Sequence, residues 1–369
     1  MHSTAHQNHA AGSPTGEDPA EARTGFSAQR ARRETAAAFS AAVADLASGA
    51  LACPLPGSGR TGERFEALTR VAERDLCLAR LVEGHVDAVA ILAELDGPPP
   101  RAGQRWGVWA AEPPGEGLTA TRTERGWLLS GRKQYCSGAH SVTHALVTAE
   151  AADGRRLFAA ATGAGDEDGS DSSHSSDGSD GATPGCRPVE GTWQAVGMAG
   201  SDTPDVRFDA VPATPVGEVE GYLTRPGFQH GGIGVAACWY GGARAVARVL
   251  LEAAAGRGPD PITDAHLGAV DMRLHAAGAV LRQAAEEIDR DPFDADGGAR
   301  VRSLRVRALV ESVCADVLTH VGRATGAGPL CHDERHARDT ADLAVYIRQH
   351  HAERNLAELG GLVARKDTA

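Results

Sequence analysis

The chain contains 369 residues, of which 42% are hydrophobic, 23% are charged and 4% are aromatic. This length is sufficient for two or three packed units, and the ordinary apolar fraction excludes wholesale disorder. The net charge of −12 argues against a nucleic-acid-binding protein. No run of about 20 apolar residues predicts a membrane helix.

Cysteine usage and the N-terminal sequence bear on the cellular compartment. The seven cysteines are dispersed and form no CxxC pair, which is typical of reduced thiols rather than of disulfides or structural zinc. The N-terminus has no basic start followed by an apolar run, so we expect no secretory signal. We therefore expect a cytoplasmic protein with no nucleic-acid or membrane partner.

Two segments are expected to lie outside any packed core. Residues 1–30 are rich in Ser, Gly, Ala, His and Pro without periodicity, and we interpret them as a disordered tail. Residues 163–185 contain Ser, Asp or Gly at nearly every position. Such a composition buries no apolar face, so we interpret this segment as a disordered acidic insertion.

Residues 31–97 predict an N-terminal helical domain. The stretch ends at Gly97, before three prolines. Apolar residues recur with helical spacing near one broad stripe, at Leu68, Val71, Leu76, Leu78 and Leu81.

Residues 98–217 predict a central β domain, because the apolar period changes to two and short β-rich runs alternate with turns. Hairpin turns are expected at Glu124–Gly126 and at Asp153-Gly154. The acidic insertion would then lie in one of the loops of this domain.

Residues 218–369 predict a C-terminal four-helix bundle. The first helix is expected to end at Gly256, the second to begin at Thr263 or Asp264, and the last to run from Asp333 to Gly360. Helices, then strands, then helices indicate an α+β, multi-domain fold rather than a parallel α/β sheet.

Two motifs are interpreted as structural. Residues 232–237 fit the GxGxxA dinucleotide fingerprint, but no strand precedes them, so we expect their glycines to begin the first bundle helix and permit a close approach. His332 and His336 are four residues apart and suit one metal ion, yet no third ligand has matching spacing. We expect no metal site.

Four short segments resemble sequences of the acyl-CoA dehydrogenase family. The family's Thr-Glu-Pro loop is similar to Trp109–Pro113, and its Gly-x-Lys-x-Trp-Ile-Thr/Ser segment is similar to Gly131–Gly138. Gly197–Thr203 resembles its Gly-Met-Arg-x-Ser-Asp-Thr strand, and Arg338-Asp339 resembles the start of its last helix. The resemblance implies an N-terminal helical domain, a central β domain and a C-terminal four-helix bundle.

The resemblance also implies an FAD between the β domain and the bundle, usually completed by a second subunit of a homodimer or homotetramer. The backbone at Ala111 and Glu112 would contact the flavin pyrimidine, Tyr135 would lie against the ring face, and Ser137 would contact flavin N5. Cys136 and Thr203 belong to the same matching segments and complete the expected cofactor-binding set.

The sequence departs from the family at the catalytic base. Counting from Arg338-Asp339, the family's catalytic Glu falls on Ile347, which has no proton-accepting group. Substitute bases are expected among His350, His351 and His230, because a neutral imidazole has a suitable pKa. His350 and His351 are adjacent on an expected helix and point about 100° apart, so at most one faces a given pocket.

The family's motif for binding the adenosine end of FAD is only partly present in this sequence. The family's Arg-x-x-Phe-Gly…Gln segment is reduced to Gly256–Pro259, with His266 near the Gln position.

Three functions remain compatible with these residues. The first is an FAD-dependent oxidoreductase acting on the CH–CH group of an acyl thioester, with a substituted or absent base. The second is a flavin-dependent monooxygenase of the same fold, in which His85, Ser137 and His350 or His351 converge near the flavin. The third is a non-catalytic scaffold that has lost the cofactor. The substrate is expected to be an acyl thioester or another small molecule. The sequence identifies neither this substrate nor the electron acceptor.

Overall fold

The computed structural model describes residues 27–112, 115, 117–163, 185–256, 258 and 260–366. Residues 1–26 of the expected tail and residues 164–184 of the expected insertion therefore lie outside the described residues. Residues 28–30, which the composition assigns to the tail, already belong to the first helix. The side chain of Ser27 caps that helix by accepting a hydrogen bond from Arg30 N at 3.3 Å.

Three helices form the N-terminal unit. They are α1 (Ala28–Ser48), α2 (Thr61–Arg74) and α3 (Leu76–Glu94). Asp75 separates α2 from α3, because its side chain accepts a hydrogen bond from Leu78 N at 2.8 Å and caps α3.

The middle of the chain forms a seven-stranded sheet, as the alternating pattern predicts. Its strands are β1 (Trp106–Trp109), β2 (Leu118–Thr123), β3 (Gly126–Lys133), β4 (His144–Ala151), β5 (Gly154–Ala161), β6 (Gly185–Val189) and β7 (Asp205–Val216). Strands pair in the order β4-β2-β3-β7-β5, and β5 returns to pair with β4, so the sheet closes on itself. The two expected hairpin turns join β2 to β3 and β4 to β5.

Helices return after β7 and form the bundle. They are α4 (Gly221–Thr224), α5 (Pro226–Ala255), α6 (Pro261–Arg290), α7 (Ala299–Thr325), α8 (Gly328–His332), α9 (Glu334–Tyr346) and α10 (Ala352–Lys366). Helix α6 begins before the expected position, because the Asp260 side chain accepts from Ile262 N and Thr263 N and caps it. None of the described helices is long and apolar enough to cross a membrane.

The prediction of one continuous last helix was wrong. Helix α9 is capped by Asp333 as expected, but it passes into a short 3-10 turn at Ile347–Gln349, and α10 follows. The break coincides with a cross-helix hydrogen bond, since the Gln349 carbonyl accepts from Arg307 Nη2 of α7 at 3.3 Å. His350 and His351 therefore lie in a joint between helices, and not in the middle of one.

Helix α5 packs against most of the other helices, and its glycines permit this. A Cβ at Gly241 would lie 2.4 Å from Thr69 O, and one at Gly231 would lie 2.7 Å from Asp87 Oδ1. The GxGxxA segment lies inside this helix, which already begins at Pro226, so the expectation that its glycines begin the helix was wrong. Its own glycines are close to neighbouring side chains, since a Cβ at Gly232 would lie 3.3 Å from Ser303 Oγ and one at Gly234 would lie 3.4 Å from Leu68 Cδ1.

The larger of two hydrophobic clusters among the described residues runs through all three units. Its largest fully buried side chains come from α1, β1, β5, β7, α5 and α9, namely Phe39, Trp109, Phe158, Phe208, Trp239 and Tyr346. The three units are therefore packed together rather than joined by mobile linkers, and segments distant in sequence meet at the site described next.

Candidate functional site

Two turns of the β domain meet at the end of β3. The first turn contains Tyr135–Gly138 and the second contains Ala199–Thr203. The amide of Cys136 donates to Pro204 O at 2.9 Å, and the amide of Gly138 donates to Ser201 O at 2.9 Å. These backbone bonds hold the two turns in one fixed arrangement.

A row of three hydroxyl groups crosses the junction of these turns. Thr203 Oγ1 donates to Ser137 Oγ at 3.2 Å and lies 2.8 Å from Ser201 Oγ. The Ser137 carbonyl accepts from Trp109 Nε1 at 3.0 Å, which fixes the orientation of the peptide. The backbone N–H of Ser137 donates to none of the described residues, so it is left for a ligand or for water.

The two residues before Ser137 differ in environment. Tyr135 has a left-handed backbone (φ 57°), and the residue is 53% exposed, two positions before Ser137. Cys136 is fully buried, and burial raises the pKa of its thiol. Its side chain belongs to the core, and only its backbone lies at the junction.

Ion pairs hold the loop after β1 in position, and the sequence pattern did not predict them. Ala111 and Glu112 are exposed. Glu112 pairs with Arg155 at 2.9 Å and, more distantly, with Lys133 at 3.8 Å. Burial lowers the pKa of Lys133, while Glu112 opposes this effect. Lys133 also donates to Thr148 O at 2.9 Å, so β3, β4 and this loop are held together.

Asp202 supports the second turn from below. Its Oδ2 accepts from the His140 backbone N–H at 2.9 Å and lies 2.8 Å from His140 Nδ1. Hydrogen bonding to Asp202 raises the pKa of His140. Burial raises the pKa of the Asp202 carboxyl, but the hydrogen bonds from His140 outweigh burial and the net pKa is lowered. The pair is thus a hydrogen-bonded anchor for a backbone that is left-handed at Asp202 (φ 45°).

A set of polar residues lies within the helical half of the molecule, between α3, α5, α7 and α9. We call it the inner polar cluster, and its members are Arg80, Glu83, Arg307, Tyr346 and His350. Arg80 Nη1 donates to Glu83 Oε2 at 2.6 Å, and Arg307 Nη1 donates to Gly232 O at 2.6 Å. Several polar atoms of the cluster have no hydrogen-bond partner among the described residues, namely Arg80 Nε and both ring nitrogens of His350. Buried polar atoms normally have a partner, so this region is suited to a polar ligand or to water.

The inner polar cluster adjoins the hydroxyl row. Arg80 and Ser137 both line a gap of about 10 Å³, roughly the space of one water molecule, together with Gly84 and Trp106. The end of the β domain and helix α3 of the N-terminal unit therefore meet at Ser137.

The three expected catalytic histidines are not gathered in one place. His350 is buried in the inner polar cluster, and burial lowers its pKa. His351 is exposed, as expected for an adjacent pair. His230 is buried on α5 with Nε2 3.0 Å from Pro292 O, and burial lowers its pKa also.

His85 belongs to a different surface of α3 from Glu83. Its Nδ1 accepts from Trp106 N at 3.1 Å, and burial lowers its pKa to about 4, so the ring is neutral. It lines a cavity of about 550 Å³ with Cys53 and Leu55, to which neither Ser137 nor His350 contributes. Nothing in these contacts unites His85 with His350.

The position expected to hold the family's base is apolar in its surroundings as well as its side chain. Ile347 is 1% exposed and packs in the main core. Tyr346, immediately before it, packs edge-on against Trp239 with ring centroids 6.3 Å apart. Within the part of the chain that the structure describes, no three metal-ligating side chains are grouped, and His332 and His336 gain no third ligand.

The sequence matches neither a family model nor a curated protein. The fold, by contrast, is similar to several solved structures. KijD3 bound to FMN and dTDP-3-amino-2,3,6-trideoxy-4-keto-3-methyl-D-glucose shares 20% identity with a TM-score of 0.71, over 92% of this chain and 91% of that one. Dibenzothiophene monooxygenase (TdsC) from Paenibacillus sp. A11-2 shares 18% identity with a TM-score of 0.69, over 92% and 97%.

Butyryl-CoA dehydrogenase from Megasphaera elsdenii shares 19% identity with a TM-score of 0.67, over 83% of each chain. TdsC has also been solved with FMN bound. The chain therefore has the acyl-CoA dehydrogenase fold, and the expected α+β, multi-domain architecture is confirmed.

Proposed function

We propose that the chain is a flavin-dependent oxidoreductase, with the flavin bound at the junction of the two β-domain turns. The observation that carries the proposal is Ser137. Its backbone N–H has no partner among the described residues, its hydroxyl accepts from Thr203, and the exposed ring of Tyr135 lies two residues before it. A hydrogen-bond donor, an orientable hydroxyl and an aromatic face suit a planar, polar-edged heterocycle.

A flavin bound at this junction would give each expected cofactor-binding residue a role. The backbone at Ala111 and Glu112 would contact the edge of the ring system, Tyr135 its face and Ser137 its central nitrogen. Thr203 would orient the Ser137 hydroxyl, and Cys136 would contribute backbone alone. A bound flavin supplies a two-electron acceptor, while the protein supplies position, orientation and proton transfer.

We propose FAD as the cofactor, although residues 256–259 keep only part of the family's motif for binding the adenosine end of FAD. Two of the similar structures hold FMN, so the experiment has to distinguish FAD from FMN. Heat-released cofactor from the purified protein is expected to be FAD, and release of FMN alone would contradict this assignment. Absence of any visible flavin absorbance, even after incubation with both flavins, would favour the scaffold function.

We propose oxidation of the CH–CH group of an acyl thioester as the primary reaction. The inner polar cluster provides buried polar groups next to Ser137, where a thioester carbonyl would be held. The test is anaerobic mixing with a panel of acyl-CoA and acyl-pantetheine thioesters, in which bleaching of the flavin absorbance is the expected result. For the variant Ser137→Ala, Ser130→Ala serves as a matched control, because Ser130 lies on β3 but is exposed.

A second candidate is a flavin-dependent monooxygenase, and Ile347 is the observation that favours it. With no carboxylate at that position, the family's usual proton removal has no base there. Product formation that needs both oxygen and externally reduced flavin, with no thioester bleaching, would select this candidate.

We further propose that the chain assembles as a homodimer or homotetramer. Helix α6 exposes large apolar side chains, with Ile262 71% exposed and Met272 61% exposed. Exposed apolar surface of this kind is typical of subunit interfaces. Light scattering of the purified protein would measure the assembly, and a monomer at micromolar concentration would contradict it.

A further inference from the structure

Glu83 is the carboxylate of the inner polar cluster. The residue is 4% exposed and lies on α3. Its Oε2 accepts from Arg80, while Oε1 makes no hydrogen bond to any described residue. One oxygen is thus anchored and the other is available to exchange a proton.

The charges around Glu83 come from three helices. Arg80 and Asp87 lie on α3 itself, Arg64 on α2 and Arg307 on α7. Two neutral groups also interact electrostatically with Glu83, namely Tyr346 of α9 and Cys238 of α5. Burial raises the pKa of Glu83 to about 7, and Arg80 opposes this rise. Both protonation states of Glu83 are therefore populated near neutral pH, which suits a proton acceptor.

Glu83 is connected to the candidate flavin site through its neighbours, since it directly precedes Gly84, which lines the gap beside Ser137. Its partner Arg80 lines the gap shared with Ser137. Tyr346, which interacts with Glu83, immediately precedes Ile347, the position where the base is missing. Tyr346 is 2% exposed, and its hydroxyl interacts with the buried Cys238 thiol of α5.

Other buried carboxylates are committed to structural bonds. Asp342 accepts from the Met198 backbone N–H and from the Cys77 thiol, and Asp339 pairs with Arg248. Both lie on the side of α9 that faces the β-domain turn or the surface arginines. Neither has a free oxygen beside the inner polar cluster comparable with Glu83 Oε1.

Building on the proposed flavin-dependent oxidation of an acyl thioester, we propose that Glu83 is the residue that accepts the substrate's α proton. The α C–H bond breaks and its proton moves to Glu83 Oε1. Its electron pair forms the C=C bond, as the β hydrogen leaves with two electrons to the flavin, which is the oxidant. The thioester is oxidised by two electrons and the flavin is reduced by two. Arg80 holds Glu83 in place throughout.

Glu83→Gln is the direct test, and Glu94→Gln is its matched control. Glu94 lies on the same helix and likewise pairs with one arginine, Arg225, but it belongs to the other end of α3. Glu83→Gln is expected to slow anaerobic flavin bleaching at least about 100-fold, with the flavin absorbance of the purified protein unchanged. Glu94→Gln is expected to bleach at the wild-type rate.

A second readout needs neither flavin nor substrate. The folded pKa of about 7 lies above the ordinary value of 4.5, so the stability contributed by protonated Glu83 is present at low pH and lost as pH rises through about 7. The unfolding midpoint of the wild type is expected to fall over this window, and the fall is expected to shrink in Glu83→Gln. Should Glu83→Gln fail to fold, Glu83→Asp retains the charge and is expected to bleach about 10-fold more slowly.

The outcomes separate the two proposals. Wild-type bleaching by a thioester together with wild-type rates in Glu83→Gln would overturn the assignment of Glu83 and leave the proposed function intact. No bleaching of bound flavin by any thioester would overturn the proposed function itself, and the proton-acceptor role with it. Loss of bleaching in Glu94→Gln to the same degree would also count against a specific role for Glu83.

Discussion

Thr203 donates its hydroxyl proton to Ser137 across 3.2 Å, which joins the start of β7 to the turn after β3. The two residues are 66 positions apart in the sequence, and the backbone bonds of Cys136 and Gly138 bring them together. This bond orients the Ser137 hydroxyl without any ligand, so the proposed flavin contact would need no rearrangement of this side chain.

Loss of the Ser137 hydroxyl is expected to weaken flavin binding. Ser137→Ala removes one hydrogen bond, worth about 0.5–1.5 kcal/mol, so the flavin Kd should rise about 2- to 10-fold. Thr203→Val is expected to give a smaller rise, because it removes only the orienting partner. Quenching of flavin fluorescence on titration with protein measures both. An unchanged Kd in Ser137→Ala, equal to that of Ser130→Ala, would contradict the proposed contact.

Asp342 is expected to make stability depend on pH between about 4 and 6. Burial raises the pKa of its carboxyl from 3.8 to about 6, so the protonated form stabilises the fold at low pH and this contribution is lost as pH rises through about 6. The loss amounts to about 3 kcal/mol at most. Denaturant unfolding of Asp342→Asn is expected to lack this part of the pH dependence.

Asp342→Ala provides the contrast. Asn retains an acceptor for the Met198 N–H, whereas Ala leaves that buried N–H unpaired, at a cost of about 1–3 kcal/mol. Asp339 titrates in the same window, with a pKa of about 6, and so remains as a background in every variant. Equal stability of the Asn and Ala variants at pH 7 would argue against the bond between α9 and the β-domain turn.

Ile347 is expected to act as a core residue. Ile347→Ala should lower the free energy of unfolding by about 2–5 kcal/mol, because it leaves a cavity in a fully packed region. Ile347→Glu would place a carboxyl there and should lose stability further as pH rises, since burial disfavours its charged form. Urea unfolding at several pH values measures both. A stable Ile347→Glu variant that bleaches flavin faster than wild type would mean that the position still serves as a base.

Gly197 and Gly268 are expected to respond in opposite directions to alanine. A Cβ at Gly197 would lie 2.0 Å from Ala341 O, so Gly197→Ala should separate the β-domain turn from α9 and cost about 1–3 kcal/mol. Gly268 is exposed inside α6, and a Cβ added there would meet no described atom within 4 Å. Gly268→Ala should therefore raise stability by about 0.5–1 kcal/mol. Thermal unfolding of the two variants gives the comparison, and equal effects would contradict the close approach.

The order of the units was predictable because it is written in local periodicity. The change from helical spacing to alternation marked the β domain, and Asp153-Gly154 and Gly126 marked its hairpins. Asp333 was recognisable as a helix start from its residue type alone. The break after Tyr346 was not predictable from local periodicity, and it coincides with a hydrogen bond from Arg307 of another helix to the Gln349 carbonyl.

The candidate site divides in the same way. Tyr135, Ser137 and Thr203 were found because they belong to short segments that resemble known sequences. Glu83 and Arg80 were missed, because on α3 they have the spacing of any surface ion pair. Only their burial against α5, α7 and α9 distinguishes them from the exposed pair Arg60 and Glu63.

The sequence by itself determined the three units, their order and the residues of the turn at Ser137, because these depend on neighbours within a few positions. The net charge and composition limited the class of protein but not the site. Only the tertiary structure decided which ionisable groups lose contact with water, because burial depends on segments far apart in the chain. It therefore placed Ile347 in an apolar core and gave Glu83 the surroundings of a proton acceptor.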